Sequence, residues 1–356
     1  MAATAYINRI GTAVPPHDVH RKFLEYAPQM LSDPRKQRLF HRMAQRSQIE
    51  HRYSVMEPSS DAAQLDSAGI FLPRAFPCTR DRMKLYERHA SALAQRGIAA
   101  LGLSGQERPT HLIVTTCTGL HAPGVDLEIM RSLELDDGVE RTVVGFMGCY
   151  AAINGLKLAR HIVRSDPAAR VLMVNVELCT LHLQWTDDLE ELLSFMIFAD
   201  GCAATLISAD PCGLEMLGFE AAVIPGSEEE ITWRVGGQGF DMRLAGTVPG
   251  IVGRALPGIV DSLRNKFRVN DLSLWAVHPG GRSILDAVET SLALPADALT
   301  ASRRVLRDYG NMSSPTVMFV LKALMDEAAD GQAGAALAFG PGLTAETMVF
   351  RTAGHA

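Results

Sequence analysis

Three short segments carry the residue types of nucleophilic catalysis. The first is Gly145-Phe146-Met147-Gly148-Cys149-Tyr150. An apolar run ends at Gly145 and a glycine-containing turn follows. Apolar residues at Ile153, Leu156, Ala159, Ile162 and Val163 then keep helical spacing up to a stop at Asp166-Pro167. Cys149 therefore falls where a strand turns into a helix N-terminus. The macrodipole favours thiolate there, which predicts a thiol pKa below the free value of about 8.5. The second segment is Trp275-Ala276-Val277-His278-Pro279-Gly280-Gly281. A strand delivers a histidine at its C-terminal end, the place where open α/β sheets carry functional groups. The third is Asp308-Tyr309-Gly310-Asn311-Met312-Ser313-Ser314-Pro315, with Asn311 just ahead of a helix. Taken singly, a buried thiol, a core histidine and a helix N-cap explain these residues as well as catalysis does. Together they supply a sulfur nucleophile, a partner for its charge and an amide donor for an oxyanion.

Elements able to hold three such groups are readable around them. Helices are expected over 21–31, 37–46 and 81–101, the last with Thr79 as N-cap. Short apolar runs over 111–116, 142–145, 171–176 and 202–208 each end in a turn or helix. A second series begins near Leu214, with strands over 214–223, 239–244, 274–277, 335–339 and 347–351. Helices are expected over 248–267, 283–292 and 315–329. Strands alternating with helices predict α/β layers with mostly buried strands. Asp210-Pro211-Cys212-Gly213 is the best boundary, giving halves 1–210 with the cysteine and 211–356 with the histidine and asparagine.

Composition narrows the function classes. The chain has 356 residues, a hydrophobic fraction of 47% and a net charge of −6, which is an ordinary globular balance with ample core. No basic stripe is present, so nucleic acid is not an expected partner. No apolar run reaches the roughly 18 residues of a membrane span. The N-terminus lacks a charged-then-apolar signal pattern and soon reads as a strand. The six cysteines are scattered without a CxxC pair, so no metal site or disulfide frame is expected, and a reducing, cytoplasmic setting fits.

The chain resembles the type III polyketide synthases, the chalcone synthase-like branch of the thiolase superfamily. The residues that carry the resemblance are Gly148-Cys149, His278-Pro279-Gly280-Gly281, Tyr309-Gly310-Asn311-Met312-Ser313-Ser314 and Phe339-Gly340-Pro341-Gly342. Glu177-Leu178-Cys179-Thr180-Leu181-His182 and Phe198-Ala199-Asp200-Gly201 match bacterial members. The resemblance implies a layered αβαβα thiolase fold of two similar halves and a homodimer. It implies acyl-CoA and malonyl-CoA as substrates, with an acyl carrier protein as an alternative donor, and no metal or organic cofactor.

The same resemblance assigns roles. Cys149, His278 and Asn311 are the catalytic triad. Phe198 and Met242 are gatekeepers, with Phe240 sharing a face with Met242. Cys117, Thr118, Thr180, Trp233, Ser313 and Gly340-Pro341-Gly342 are pocket residues, as are Ala122 and Ala199. Arg46, Arg52, Gly280 and Gly281 fall on the CoA site, where a basic segment would steer an anionic substrate. Met147, Met196, Met242 and Met312 near the pocket favour an aliphatic starter. The expected reaction is iterative decarboxylative condensation giving an alkylpyrone or alkylresorcinol. The alternative is a ketoacyl synthase III-like single condensation with a carrier protein, an enzyme type that usually follows its histidine with Gln-Ala-Asn.

Overall fold

The computed structural model describes residues 3–105 and 107–354. Its strands are β1 (Tyr6–Ala13), β2 (His17–Asp18), β3 (Tyr53–Ser54), β4 (His111–Thr116), β5 (Glu140–Gly145), β6 (Val171–Leu178) and β7 (Asp200–Ser208). They continue with β8 (Gly213–Val223), β9 (Ile231–Gly236), β10 (Gly239–Leu244), β11 (Leu274–Val277), β12 (Ala333–Gly340) and β13 (Thr344–Ala353). Nine of these strands form one sheet in the order β11-β12-β13-β8-β1-β7-β6-β4-β5. β4 runs parallel to β5 and β6, and β11 parallel to β12. The other pairs are antiparallel.

The alternation of strand side chains explains the layers. Ile113, Val171 and Met173 share an apolar cluster with Ile153, Leu156 and Ala159 of the helix Ala151–Ser165 and with Val317 and Val320 of the helix Thr316–Glu327. The same cluster takes in Ala276, Ala336 and Met348 from β11, β12 and β13. This pair of helices is therefore a middle layer touched by strands from both ends of the chain. Leu112, Val114, Leu172 and Val174 point the other way, onto the helix Thr79–Leu101. Trp275, Val277 and Leu337 likewise face the helix Val248–Phe267. Strands buried on both faces need continuous apolar runs, and every residue of β6 and β7 is buried.

Three expectations change. β5 is the sheet edge and is largely exposed rather than buried, with Val143 half exposed. The helix N-cap is Cys78, not Thr79. The Thr79 hydroxyl instead bonds the Gly236 carbonyl and accepts from the Gly239 N–H at 2.9 Å, which ties down the β9–β10 hairpin. That hairpin gains β9, and the helix Thr300–Tyr309 precedes Asn311; neither was anticipated.

Candidate active site

Cys149 lies in a 3-10 turn, Gly148–Tyr150, directly ahead of the middle-layer helix. The turn is sharp because Phe146 and Gly148 both have positive φ, 56° and 71°. A Cβ on Gly148 would sit 2.4 Å from Pro341 Cδ, so only glycine lets the loop after β12 press against the cysteine turn. His278 follows β11, and its N–H donates to the Leu337 carbonyl at 2.8 Å. Asn311 is held through its backbone. Its N–H donates to Ile197 O at 2.8 Å, and its carbonyl accepts from the Ala199 N–H at 2.9 Å. The Asn311 side-chain oxygen accepts the Ser313 N–H at 2.8 Å, which leaves the amide NH2 as the donor end.

Cys149, His278 and Asn311 line one cavity with about 810 Å3 of atom-free space, its mouth included. Cys117, Thr118, Phe198, Trp233, Met242, Ser313, Gly340 and Pro341, expected as pocket residues, line it too, and so does Gly280, which was expected on the CoA site. The β9–β10 hairpin forms one wall. Trp233 Nε1 donates to the Cys117 carbonyl at 2.6 Å. His182 braces the same wall from behind. Its Nδ1 accepts the Phe240 N–H at 3.0 Å, so Nε2 donates to Thr118 O at 2.7 Å, and its ring stacks on Phe240 at 4.2 Å. Phe240 is therefore a buried backing residue, and Met242 is the one that faces the cavity.

Burial governs the charges. It pushes the Cys149 thiol up to about 11. Hydrogen bonds from Ser313 and Asn311 pull the other way, and the Glu177 carboxylate adds to the rise. The expected depression of this thiol is thus not met by the helix end alone. His278 is driven down to about 3 by burial, and neither of its ring nitrogens has a hydrogen-bond partner among the described residues. Glu177, fully buried, accepts from the Cys117 N–H at 2.9 Å, the Thr118 hydroxyl at 2.8 Å and the Ser314 hydroxyl at 2.7 Å. Burial still raises it to about 6.

Several expected site residues lie elsewhere. Thr180 is not on the cavity. Its hydroxyl donates to Asp200 at 2.8 Å, and the neighbouring Cys179 lines the cavity in its place. Ala199 is fully buried behind the wall and Ala122 is exposed. Gly342 takes a positive φ of 72° in the loop beyond Pro341 and is not among the lining residues. Arg46 is exposed and lines, with Gly280, Gly281 and Arg282, a groove that shares Leu244, Val248 and Ile284 with the cavity. Arg52 does not belong there. It is 2% exposed, and its guanidinium donates to His20 Nδ1 at 2.9 Å, Phe195 O at 3.1 Å and Phe198 O at 2.6 Å. A cation enclosed in this way cannot meet a phosphate at the surface; it fixes the Phe198 backbone. Arg282 is the added basic residue, donating to Arg46 O at 3.1 Å. Its place directly after Gly280-Gly281 was the available signal.

Residues 1–211 match the N-terminal domain of the chalcone and stilbene synthases, and residues 216–354 match the C-terminal domain. The chain belongs to the chalcone and stilbene synthase family. It is 32% identical to the alpha-pyrone synthesis polyketide synthase-like Pks18 of Mycobacterium tuberculosis, over 97% of this chain and 91% of that protein. It is also 32% identical to bisdemethoxycurcumin synthase of Oryza sativa subsp. japonica, over 99% and 93%. Among solved structures it resembles the C-terminal type III polyketide synthase domain of Steely1 from Dictyostelium. The TM-score is 0.90 at 26% identity, covering 98% of this chain and 99% of that one. It is similar to CsyB complexed with CoA-SH as well, with a TM-score of 0.85 at 25% identity over 98% and 100%. This member of the type III polyketide synthases has the family's layered thiolase-like fold and is an acyl-transferring, condensing enzyme.

Proposed function

We propose that the enzyme extends an aliphatic acyl-CoA starter, held on Cys149, with several malonyl units and releases a cyclised alkylpyrone or alkylresorcinol. The observation that carries this reading is the convergence of Cys149, the Asn311 amide and two unpartnered His278 nitrogens in one apolar cavity. Cys149 Sγ gives its proton to His278 and attacks the starter thioester, and the departing CoA thiolate takes that proton. Malonyl-CoA then loses carbon dioxide. The electron pair moves onto the thioester oxygen, where a His278 N–H and the Asn311 NH2 donate hydrogen bonds. The resulting carbanion attacks the acyl-Cys149 carbonyl and Cys149 leaves as thiolate. CoA thioesters reach the site along the groove of Arg46, Gly280, Gly281 and Arg282, where the exposed Arg46 guanidinium attracts phosphate while Arg282 is paired with Asp286 at 3.2 Å.

Apolar walls of Phe195, Phe198, Met242 and Ile284 support an alkyl starter, and the printed name of the mycobacterial relative supports a pyrone product. The exposed edge strand β5, with Val143 half exposed, and the half-exposed Leu120 in the loop after β4 support pairing with a second copy. Six free cysteines fit a reducing cytoplasm. Among the described residues no helix is long and apolar enough to cross a membrane.

The test is mass spectrometry of products from malonyl-CoA with hexanoyl-, dodecanoyl- and coumaroyl-CoA. Pyrone or resorcinol masses that track alkyl length are expected. A clear coumaroyl preference would end the aliphatic reading, and only a diketide or free acid would end iterative condensation. Cys149→Ala should lose both the acyl-enzyme and the product.

A further inference from the structure

The helix Pro34–Arg46 flanks the mouth of the groove, where Met43 and Arg46 are lining residues. Asp33 caps it, its carboxylate accepting the Arg35 N–H at 2.7 Å. Phe40 and Ala44 anchor it, buried in a cluster with Phe23, Leu192 and Phe195. At about 100° per residue, Arg35, Arg38, Leu39, Arg42, Met43 and Arg46 fall within about 140° of arc on the other side and run about 16 Å along the axis. All six are exposed. The helix holds no acidic residue. Among the described residues none of the four arginines on this face forms an ion pair, whereas Lys36 beside them pairs with Asp187 at 3.6 Å. The acids on the groove are already engaged, Glu190 by the Gly246 N–H at 2.8 Å and Asp286 by Arg303 at 2.8 Å. Leu39 and Met43, one turn apart between the arginines, are 40% and 39% exposed.

Four unpaired cations on one face of a chain with a net charge of −6 make a local field of the opposite sign. Charges farther off are screened over about 8 Å at physiological salt, so an anionic surface touching this helix meets the arginines first. The apolar pair between them selects the kind of surface. Flexible arginine stems let the guanidinium heads reach phosphates at one depth while Leu39 and Met43 enter the acyl boundary below. A CoA phosphate at the groove makes no use of that pair, and Arg38 and Arg35 lie about two and three turns back from Arg46. We propose that this helix docks the enzyme on a membrane surface of anionic phospholipid, with the groove mouth beside the bilayer. On the alkyl starter and product proposed above, a long-chain thioester would arrive and an apolar product leave at that boundary. The docking itself does not depend on that chemistry.

The experiment is flotation of the full-length protein with vesicles of phosphatidylcholine, alone or with about 30% phosphatidylglycerol, at about 0.15 M salt. Each arginine near an anionic surface strengthens adsorption about fivefold, so the parent should prefer the anionic vesicles by about tenfold or more. Arg35→Gln combined with Arg38→Gln should weaken that binding about twenty-five-fold. Leu39→Ser, at unchanged charge, should weaken it about threefold. Urea midpoints equal to the parent's check that the variants are folded. Equal binding to both vesicles, parental binding by either variant, or no flotation of the parent overturns the proposal. Capture by polyglutamate in place of the anionic vesicles also overturns it and marks the face as one for an acidic protein. Turnover of hexanoyl-CoA with malonyl-CoA is measured alongside. Its failure would indict the condensation reading alone, because flotation needs no turnover.

Discussion

Burial pushes Cys149 and His278 toward their neutral forms, so neither is charged without the other. Moving one proton from sulfur to imidazole creates both charges at once in a dry cavity, where their attraction is strong. Removing the imidazole should therefore leave the thiol stranded near its raised value of about 11. Iodoacetamide labelling of Cys149 in His278→Gln at pH 7 should slow by about a hundredfold or more, then recover as pH rises toward 11. Unchanged labelling would mean that Ser313 and Asn311 alone generate the thiolate. The positions of Cys149, His278 and Asn311 were legible because each stands at an element end close to glycine. The state of the thiol was not, because it depends on enclosure by walls distant in sequence. Arg52 was misread for a related reason. Beside Arg42, Arg46 and His51 it looks like one more surface cation, and only the carbonyls of Phe195 and Phe198, some 145 residues away, make it a buried strut.

The turn before the middle-layer helix and the loop after β12 are shaped to one another at Gly148 and Pro341. Gly148→Ala combines a positive φ with a 2.4 Å contact to Pro341. It should cost about 1–3 kcal/mol in denaturant unfolding and displace the nucleophile, so activity should fall further than stability. The β9–β10 hairpin makes a second test. His182→Leu would leave the buried Phe240 N–H and Thr118 carbonyl unpaired, a loss of about 2–4 kcal/mol. With the wall loosened, the spread of product lengths should broaden; a product profile identical to the parent would show that the hairpin holds its place without His182. Strands built around an apolar run, such as β4 with Leu112-Ile113-Val114 and β11, were read at their observed bounds. β9 was not, since Thr232, Trp233 and Arg234 give no continuous run and the strand pairs only with β10. Thr79 has the side chain of a helix cap, but the hairpin lying across the helix start captures its hydroxyl instead.

Across the whole molecule, buried titratable groups set an acid limit. His20, His182 and His278 are held to about 4, 3 and 3. The unfolded chain protonates them near 6.5 while the native state does not, so stability is lost as pH falls below 6.5, by up to about 1.4 kcal/mol per pH unit per group. Glu177 and Asp200, raised to about 6, act in the opposite sense between roughly pH 4 and 6. The histidines outnumber them and are moved further from their usual value. The urea midpoint should therefore drop steeply between pH 6.5 and 4, and a flat profile there would mean the imidazoles are reached by water. The order of the large sheet also bears on how the protein is made. β1 leaves the ribosome well before its partners β7 and β8, with Tyr6 opposite Ser208 and Glu215. At synthesis rates of about 5–20 residues per second, a strand made so far ahead of its neighbours waits on the order of 10–40 s for them. Through that interval it is open to a chaperone or to a neighbouring nascent chain, so translation speed over the codons between β1 and β7 should govern the soluble yield.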